Sequence, residues 1–304
     1  MDRIHETGII GNLRGWYEAI IRGLGGKACD PSQPTCKFNV DKYHQAVDKP
    51  EWERLREAGL CDVCQVFGTT GWKRWFQLEI EDRSQLAWNP PPDALNIRPP
   101  DRNRGWYLPP GRMGELSLHF RGEEQALKTL ATLFLFLEQW GSLGAKSQLG
   151  YGVFEILNRD EVQRQIQGWE WKVMESGEIN AAGANGRSSL PDLRQFGFFG
   201  YRFKPESPGW WTRVPGMERL LGSKNMALAL QQVVKQYYTV PLAPSLKNEW
   251  RFHRWNGPGE DEEWMFGTLK WQGDNKIQRV RSKVAVSWAY SSRGAWPCTP
   301  TAIL

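Results

Sequence analysis

The sequence predicts an α+β protein of two tandem ferredoxin-like domains, the first strand of the N-terminal domain being missing or reduced, and three observations predict it. The first half reads helix, strand, strand, helix, strand, which is the βαββαβ order without its opening strand. Two of its segments alternate apolar and polar residues with the period of half-buried strands. The second half repeats the plan, and Phe266-Gly267-Thr268 repeats Phe67-Gly68-Thr69 after a helix and before a basic strand. A chain of 304 residues is long enough for two domains, each with its own core.

The elements follow in order. Leu13, Trp16, Tyr17, Ile20, Ile21 and Leu24 recur at helical spacing, and Gly23, Gly25 and Gly26 stop that helix. Only Asp2 to Ile10 precedes it, too poor in apolar residues for the central strand of a sheet. Either it pairs weakly, another segment fills the gap, or the chain begins downstream of its natural start; the last is our expectation. Phe76, Leu78 and Ile80 then alternate with polar neighbours as a strand. The prolines at 90–92 and 109–110 exclude regular structure, so residues 88–113 read as a long projecting loop carrying Arg98, Arg102, Arg104 and Arg112, with Trp106-Tyr107 at its tip. Leu116, Leu118 and Phe120 form a second strand. Leu127, Leu130, Leu133, Phe134 and Leu137 form a second helix ending at Trp140-Gly141. A glycine loop, 141–152, leads into a last strand, Val153 to Leu157, and closes an N-terminal domain of residues 1–157.

Residues 158–194 are polar, with Ala181-Ala182-Gly183-Ala184-Asn185-Gly186, and read as a linker or mobile loop. The C-terminal domain, 195–304, is expected to hold a strand at Phe198–Phe203, a helix at Met217–Tyr238 and a strand at Val280–Tyr290. Glu260-Asp261-Glu262-Glu263 reads as a solvated acidic loop.

Four of the five cysteines lie close in sequence, as Cys29-x6-Cys36, a 24-residue insert at 37–60, and Cys61-x2-Cys64. A C-x2-C knuckle points two thiolates at one tetrahedral ion, so the set reads as a structural zinc site, against buried thiols or a disulfide pair. No secretory signal is read before them, and a reducing compartment disfavours disulfides. His44 lies in the insert and could replace a sulfur, although a surface imidazole is the plainer role. Cys298 stands apart. The longest apolar run, Leu133 to Leu137, is too short to cross a bilayer, so a cytoplasmic protein is expected. The formal charge of +5 permits an anionic partner without demanding one. Seventeen tryptophans are either core filler or platforms on which bases stack, and core is the plainer reading residue by residue.

Several cations are candidates for that partner, each with a bland counterpart. Lys146 and Ser147 sit in the glycine loop, where the lack of Cβ atoms lets a phosphate approach the backbone; otherwise the loop is a tight turn with a solvated lysine. It is not a phosphate-binding loop of the nucleotide hydrolases, because the glycine spacing is wrong. Lys73 and Arg74 follow the second knuckle, with Arg281 and Lys283 at the matching place in the second half. Alternation puts Arg281 and Lys283 on one face and Val280, Val284 and Val286 on the other, giving a basic groove face or a solvated one. Arg102, Arg104 and Trp106 suit a finger reaching across a nucleic acid, or a loop packed on its own domain. Arg14, near a helix start, can fork to a phosphate or pair with Glu18. Catalysis finds little support, since His5, His44, His119 and His253 belong to no nucleophile, protease or deaminase motif.

Three motifs in this order, Gly11-x-Leu13-Arg14-x-Trp16-Tyr17, Cys64-Gln65-Val66-Phe67-Gly68, and Gly144-Ala145-Lys146-Ser147-x-x-Gly150-Tyr151-Gly152, resemble the RAMP superfamily of CRISPR proteins. Within it the chain is similar to the first-subunit family of type III-B Cmr effector complexes, in a variant bearing zinc-type cysteines. The resemblance implies tandem ferredoxin-like domains that contact guide RNA toward its 3′ part, help engage target RNA and dock onto other RAMP subunits, without being the nuclease. It turns Arg14 and the glycine loop toward RNA contact. A metal-independent endoribonuclease of the same superfamily, using His5 or His119, and a zinc-stabilised assembly protein without RNA contact are the rival readings.

Overall fold

A computed structural model describes residues 3–30, 36–100, 102–171, 190–207, 209–272, 276–280, 282–291 and 301–303. The helices are α1 (Glu6–Gly23), α2 (Val40–Gln45), α3 (Glu51–Glu57), α4 (Asp62–Phe67), α5 (Glu124–Trp140) and α6 (Arg159–Gln165). They continue as α7 (Met217–Leu221), α8 (Lys224–Tyr237), α9 (Ala243–Glu249) and α10 (Gly259–Phe266). The strands are β1 (Phe76–Asp82), β2 (Gln85–Leu86), β3 (Leu95–Ile97), β4 (Trp106–Leu108), β5 (Arg112–Met113), β6 (Leu116–Gly122) and β7 (Phe198–Gly200). Then come β8 (Thr239–Val240), β9 (Thr268–Gln272), β10 (Lys276–Val280), β11 (Ala285–Val286), β12 (Ala289–Tyr290) and β13 (Thr301–Ile303). Mixed helices and small antiparallel sheets make this an α+β protein, as expected from the sequence pattern.

The chain forms two compact units that interleave: residues 1–82, 117–138 and 155–196 make the first, and 83–116, 139–154 and 197–304 the second. The contiguous division at 157 and 195 therefore does not describe the packing. Segment 83–116 buries its apolar residues among those of the C-terminal segment, with Ala87, Trp88, Leu95, Ile97 and Leu108 sharing one core with Leu230, Val233, Val286 and Trp288, and Tyr151 of 139–154 packs against that core.

In the first unit α1 buries Leu13, Tyr17, Ile20 and Ile21 of the stripe that its spacing predicts, together with Ile9, while Trp16 is half-buried and Leu24, past the helix end, is exposed. Strand β1 pairs with β6. Cross-strand contacts of Glu79 with Arg121 and of Glu81 with His119 place these residues opposite each other in antiparallel register. An aromatic chain, Tyr17–Phe67–Phe76–Phe120–Phe134, joins α1, α4, β1, β6 and α5 at centroid spacings of 5.4 to 6.0 Å. The sheet has two strands among the described residues, and residues 6–10, where an opening strand would lie, are the first turns of α1. Val153 to Leu157, expected as a closing strand, is irregular; the Ile156 N–H donates to the Glu138 carboxylate at 2.7 Å rather than to a neighbouring strand.

In the second unit the proline-rich stretch is no projecting loop. β3 pairs with β4 and β2 with β5 as antiparallel ladders, and Leu95, Ile97 and Leu108 are fully buried. The prolines flank the short strands rather than interrupt them, and the Trp88 indole caps the run by donating to the Pro92 carbonyl at 2.7 Å. The helix expected over 217–238 is split into α7 and α8 at Gly222-Ser223. The strand expected over 280–290 is cut into β11 and β12 after the β9–β10 hairpin. The acidic run 260–263 is the first turn and a half of α10, where carboxylates offset the positive end of the helix.

Candidate functional site

Four thiols converge in the first unit. Cys29 follows α1, Cys36 opens the segment leading to α2, Cys61 caps the N-terminus of α4 and Cys64 lies in its first turn. Their sulfurs all lie within 4.8 Å of one another. Four sulfurs about 2.3 Å from a zinc ion would stand about 3.8 Å apart, so the set is near ligating geometry without rearrangement. All four are free thiols, with Cys36, Cys61 and Cys64 buried. Main-chain N–H groups point at the sulfurs: Cys61 N–H donates to Cys36 Sγ at 3.3 Å and Cys64 N–H to Cys61 Sγ at 3.4 Å. His44 is exposed against the Tyr43 ring and stands outside the cluster.

The electrostatics of the cluster call for a cation. Cys61 is held well below the usual thiol range, first by a hydrogen bond from the Cys64 side chain, and that same hydrogen bond, followed by burial, pushes Cys64 up. Burial does the same to Cys36. Four sulfurs this close cannot all ionise against one another in a buried place unless a positive charge sits between them. The donor set is soft, all sulfur and four-coordinate, and fits zinc.

Helix α1 reaches this cluster through Arg14. Its Nε donates to Glu18 Oε1 at 2.9 Å, Nη1 to the Gly68 carbonyl at 3.0 Å and Nη2 to Cys64 Sγ at 3.4 Å. Burial works against its charge while Glu18 and Cys64 sustain it, and its pKa lies above the ordinary value. The pair with Glu18 is formed, and Nη1 and Nη2 each make one further contact inside the chain.

The other candidate residues are placed as follows. Lys73 and Arg74 are exposed after α4, with Arg74 Nε donating to the Phe76 carbonyl at 2.9 Å. Arg102 and Arg104 lie exposed between β3 and β4, Arg102 stacked 4.1 Å over the Phe252 ring. Trp106 is half-buried on β4, not at a tip, and its neighbour Tyr107 is 66% exposed. Lys283 is exposed 4.5 Å from the Trp264 ring, and Val284 and Val286 beneath it are buried, as alternation predicts. Arg281 lies outside the described residues, as does Cys298.

The glycine loop is built by its own unit. Leu143 N–H donates to the Gly152 carbonyl at 2.8 Å, and the Trp288 indole donates to the Leu149 carbonyl at 2.7 Å. Gly150, at φ +90°, lies so close to Trp288 that a Cβ would stand 2.3 Å from the indole. Gly144, Ala145 and Lys146 remain exposed, Lys146 itself in the left-handed region at φ +69°, and Ser147 is half-buried. The loop is a tight turn that presents Lys146 outward.

One residue escaped the sequence reading. Lys247 on α9 is only 3% exposed, its ammonium donating to Ser282 Oγ at 3.0 Å and the Val284 carbonyl at 2.8 Å, with the glycine-loop carbonyl of Gln148 at 3.4 Å. It sits 5.3 Å from the Trp106 ring. Burial, and then the nearby Arg251 charge, hold its pKa down at about 8. The available signal was its place four residues after Ala243, on the face that the apolar run 240–244 buries.

No helix among the described residues is long and apolar enough to cross a membrane. Among known proteins, the model of the RAMP superfamily matches residues 1–155. A solved structure similar to the chain is that of Cmr1 from Pyrococcus furiosus in its apo form, 15% identical, covering 99% of this chain and 79% of that one at a TM-score of 0.40. No curated protein matches. The matched half contains α1, the cysteine cluster and the glycine loop that carry the sequence motifs, and with half the chain inside the family's model this protein belongs to the RAMP superfamily.

Proposed function

We propose that this chain is a non-catalytic RNA-binding subunit of a type III CRISPR effector complex of the Cmr type, contacting the guide RNA toward its 3′ part and helping engage target RNA beside other RAMP subunits. The observation that carries the reading is membership of the RAMP superfamily over residues 1–155. The outward cations Lys73, Arg102, Arg104, Lys146 and Lys283 agree with it, since phosphate contacts supply most of the affinity for RNA. Zinc, bound by Cys29, Cys36, Cys61 and Cys64, is structural in this reading: four thiolates close its coordination sphere and leave no position for water.

The rival with a residue behind it is an endoribonuclease. His119 faces Glu81 at 3.4 Å on an exposed strand face, a pairing that would suit proton transfer. Affinity purification from the native host, with sequencing of the co-purified RNA, tests the leading reading. Repeat-derived RNA together with other RAMP subunits is expected, and recovery of neither overturns it. Incubating the purified chain with labelled precursor RNA, with and without chelator, tests the rival: no discrete product is expected, whereas a product lost in His119→Ala would establish the nuclease.

A further inference from the structure

We propose that Arg14 is an outer-sphere residue of the four-cysteine metal site, donating to the Cys64 sulfur and offsetting from α1 the negative charge that four thiolates leave on a divalent ion; the inference rests on the zinc reading above. Arg14, Glu18 and Arg22 recur every four residues and so share one stripe of α1. Glu18 is only 5% exposed and lies between the two guanidinium groups, 2.9 Å from Arg14 and 3.6 Å from Arg22. A buried carboxylate gripped from both sides fixes how each guanidinium points.

Both ends of this ladder finish on the cysteine cluster. Arg14 Nη2 reaches Cys64 Sγ at 3.4 Å while Nη1 holds the Gly68 carbonyl at 3.0 Å. Arg22 Nη2 reaches the Cys29 carbonyl at 3.0 Å. A simple surface pair with Glu18 would leave the remaining Arg14 donors in water; here they are aimed at a sulfur that is 0% exposed and at the turn that follows it.

The chemistry explains why a guanidinium is suited to the place. Zinc with four thiolates carries a net charge of two minus, and a buried charge without a counter-ion is costly. Arginine keeps its charge at every relevant pH, and its fork serves two acceptors at once. An N–H donated to a ligating sulfur draws electron density from it and disfavours its protonation, which holds the metal more firmly. The Leu13-Arg14 and Cys64-to-Gly68 motifs are thus two halves of one metal-centred device rather than two separate contacts.

The test uses the full chain. Elemental analysis of the wild type comes first: one zinc per chain is expected, and its absence would overturn the zinc reading itself. With zinc present, competition against a chromophoric chelator compares wild type with Arg14→Met and Arg14→Lys, each checked for fold by circular dichroism. Loss of an outer-shell partner weakens metal binding by about 10- to 100-fold, so that loss is expected for Arg14→Met and a smaller one for Arg14→Lys, which keeps the charge without the fork. In the cobalt-substituted protein the thiolate-to-metal charge-transfer band should move to lower energy in Arg14→Met and stay in place in Arg22→Met, whose lost donor served a carbonyl. Wild-type affinity and an unmoved band in both Arg14 variants would overturn the proposal while leaving the zinc site standing. Should Arg14→Met fail to fold, the same two readings on Arg14→Lys decide.

Discussion

Two residues of the second unit carry consequences that can be measured directly. A Cβ at Gly150 would meet the Trp288 indole at 2.3 Å and the Val286 carbonyl at 2.9 Å, at a φ of +90° that side chains rarely adopt. Backbone strain and overpacking each cost about 1–3 kcal/mol, so Gly150→Ala should lower stability by about 3 kcal/mol, seen as a lower denaturant midpoint at an unchanged slope. Lys247 makes a pH prediction. Its pKa falls from 10.5 in the unfolded chain to about 8 when folded, so above pH 8 the unfolded state holds more protons and this group makes stability rise with pH until about 10.5. The full rise is on the order of 3 kcal/mol, and below pH 8 the contribution is flat. Denaturant midpoints of wild type and Lys247→Met at pH 7.5 and 10 check it: the difference between the two proteins should shift in favour of the wild type at the higher pH. A pH-independent difference would show that the ammonium keeps its ordinary affinity for a proton. The sequence told that position 150 is glycine but not why, because the indole it accommodates lies far along the chain at Trp288.

Among the elements, those whose burial pattern is local were legible. The stripe of α1, the alternation of β1 and the apolar face of α5 all appear where spacing puts them. The stretch 88–113 was misread for a physical reason: β3 and β4 are three residues each, too short to show a period, and their burial depends on segments more than 100 residues away. Of the tryptophans, Trp88, Trp211 and Trp288 are buried core, and Trp106, Trp210, Trp250 and Trp255 pack against that core half-buried. The cysteine cluster was legible because ligand spacing is a local property; the role of Arg14 in it was not, because the Cys64 sulfur that it serves is contributed by another helix. Metal removal tests how much the cluster holds in place. Helices α2 and α3 have six and seven residues and cannot persist as isolated helices, and both lie in the insert closed by Cys36 and Cys61. Chelation should therefore expose Lys42, Lys49, Arg54 and Arg56 to trypsin before any site in α5, with fragments read by mass spectrometry. Identical digestion with and without chelator would show that the insert needs no metal.

At the scale of the whole chain, where RNA would bind under the proposed function depends on which charges are already answered from within. The exposed face of β1 and β6 pairs Glu79 with Arg121 and sets Glu81 beside His119, so these four residues supply no surplus positive charge to a polyanion. Arg14 is committed to Glu18, Gly68 and Cys64. Of the candidate residues, Lys73 in the first unit and Arg102, Arg104, Lys146 and Lys283 in the second are exposed. Single-stranded RNA releases about 0.7 counterion for each phosphate neutralised. If all five engage phosphates, the logarithm of the association constant should fall against the logarithm of salt concentration with a slope of about −3.5. Lys146→Ala should lessen the slope by about 0.7 and weaken binding alike for any sequence, since a lysine on a turn reads phosphate and not bases. Arg121→Ala should leave the slope unchanged, because its charge is already matched across the strand by Glu79. A filter-binding series over salt with these two variants separates the cases. Equal slopes in wild type and Lys146→Ala would remove the glycine loop from the RNA-binding surface, and a lessened slope in Arg121→Ala would place RNA on the sheet face instead.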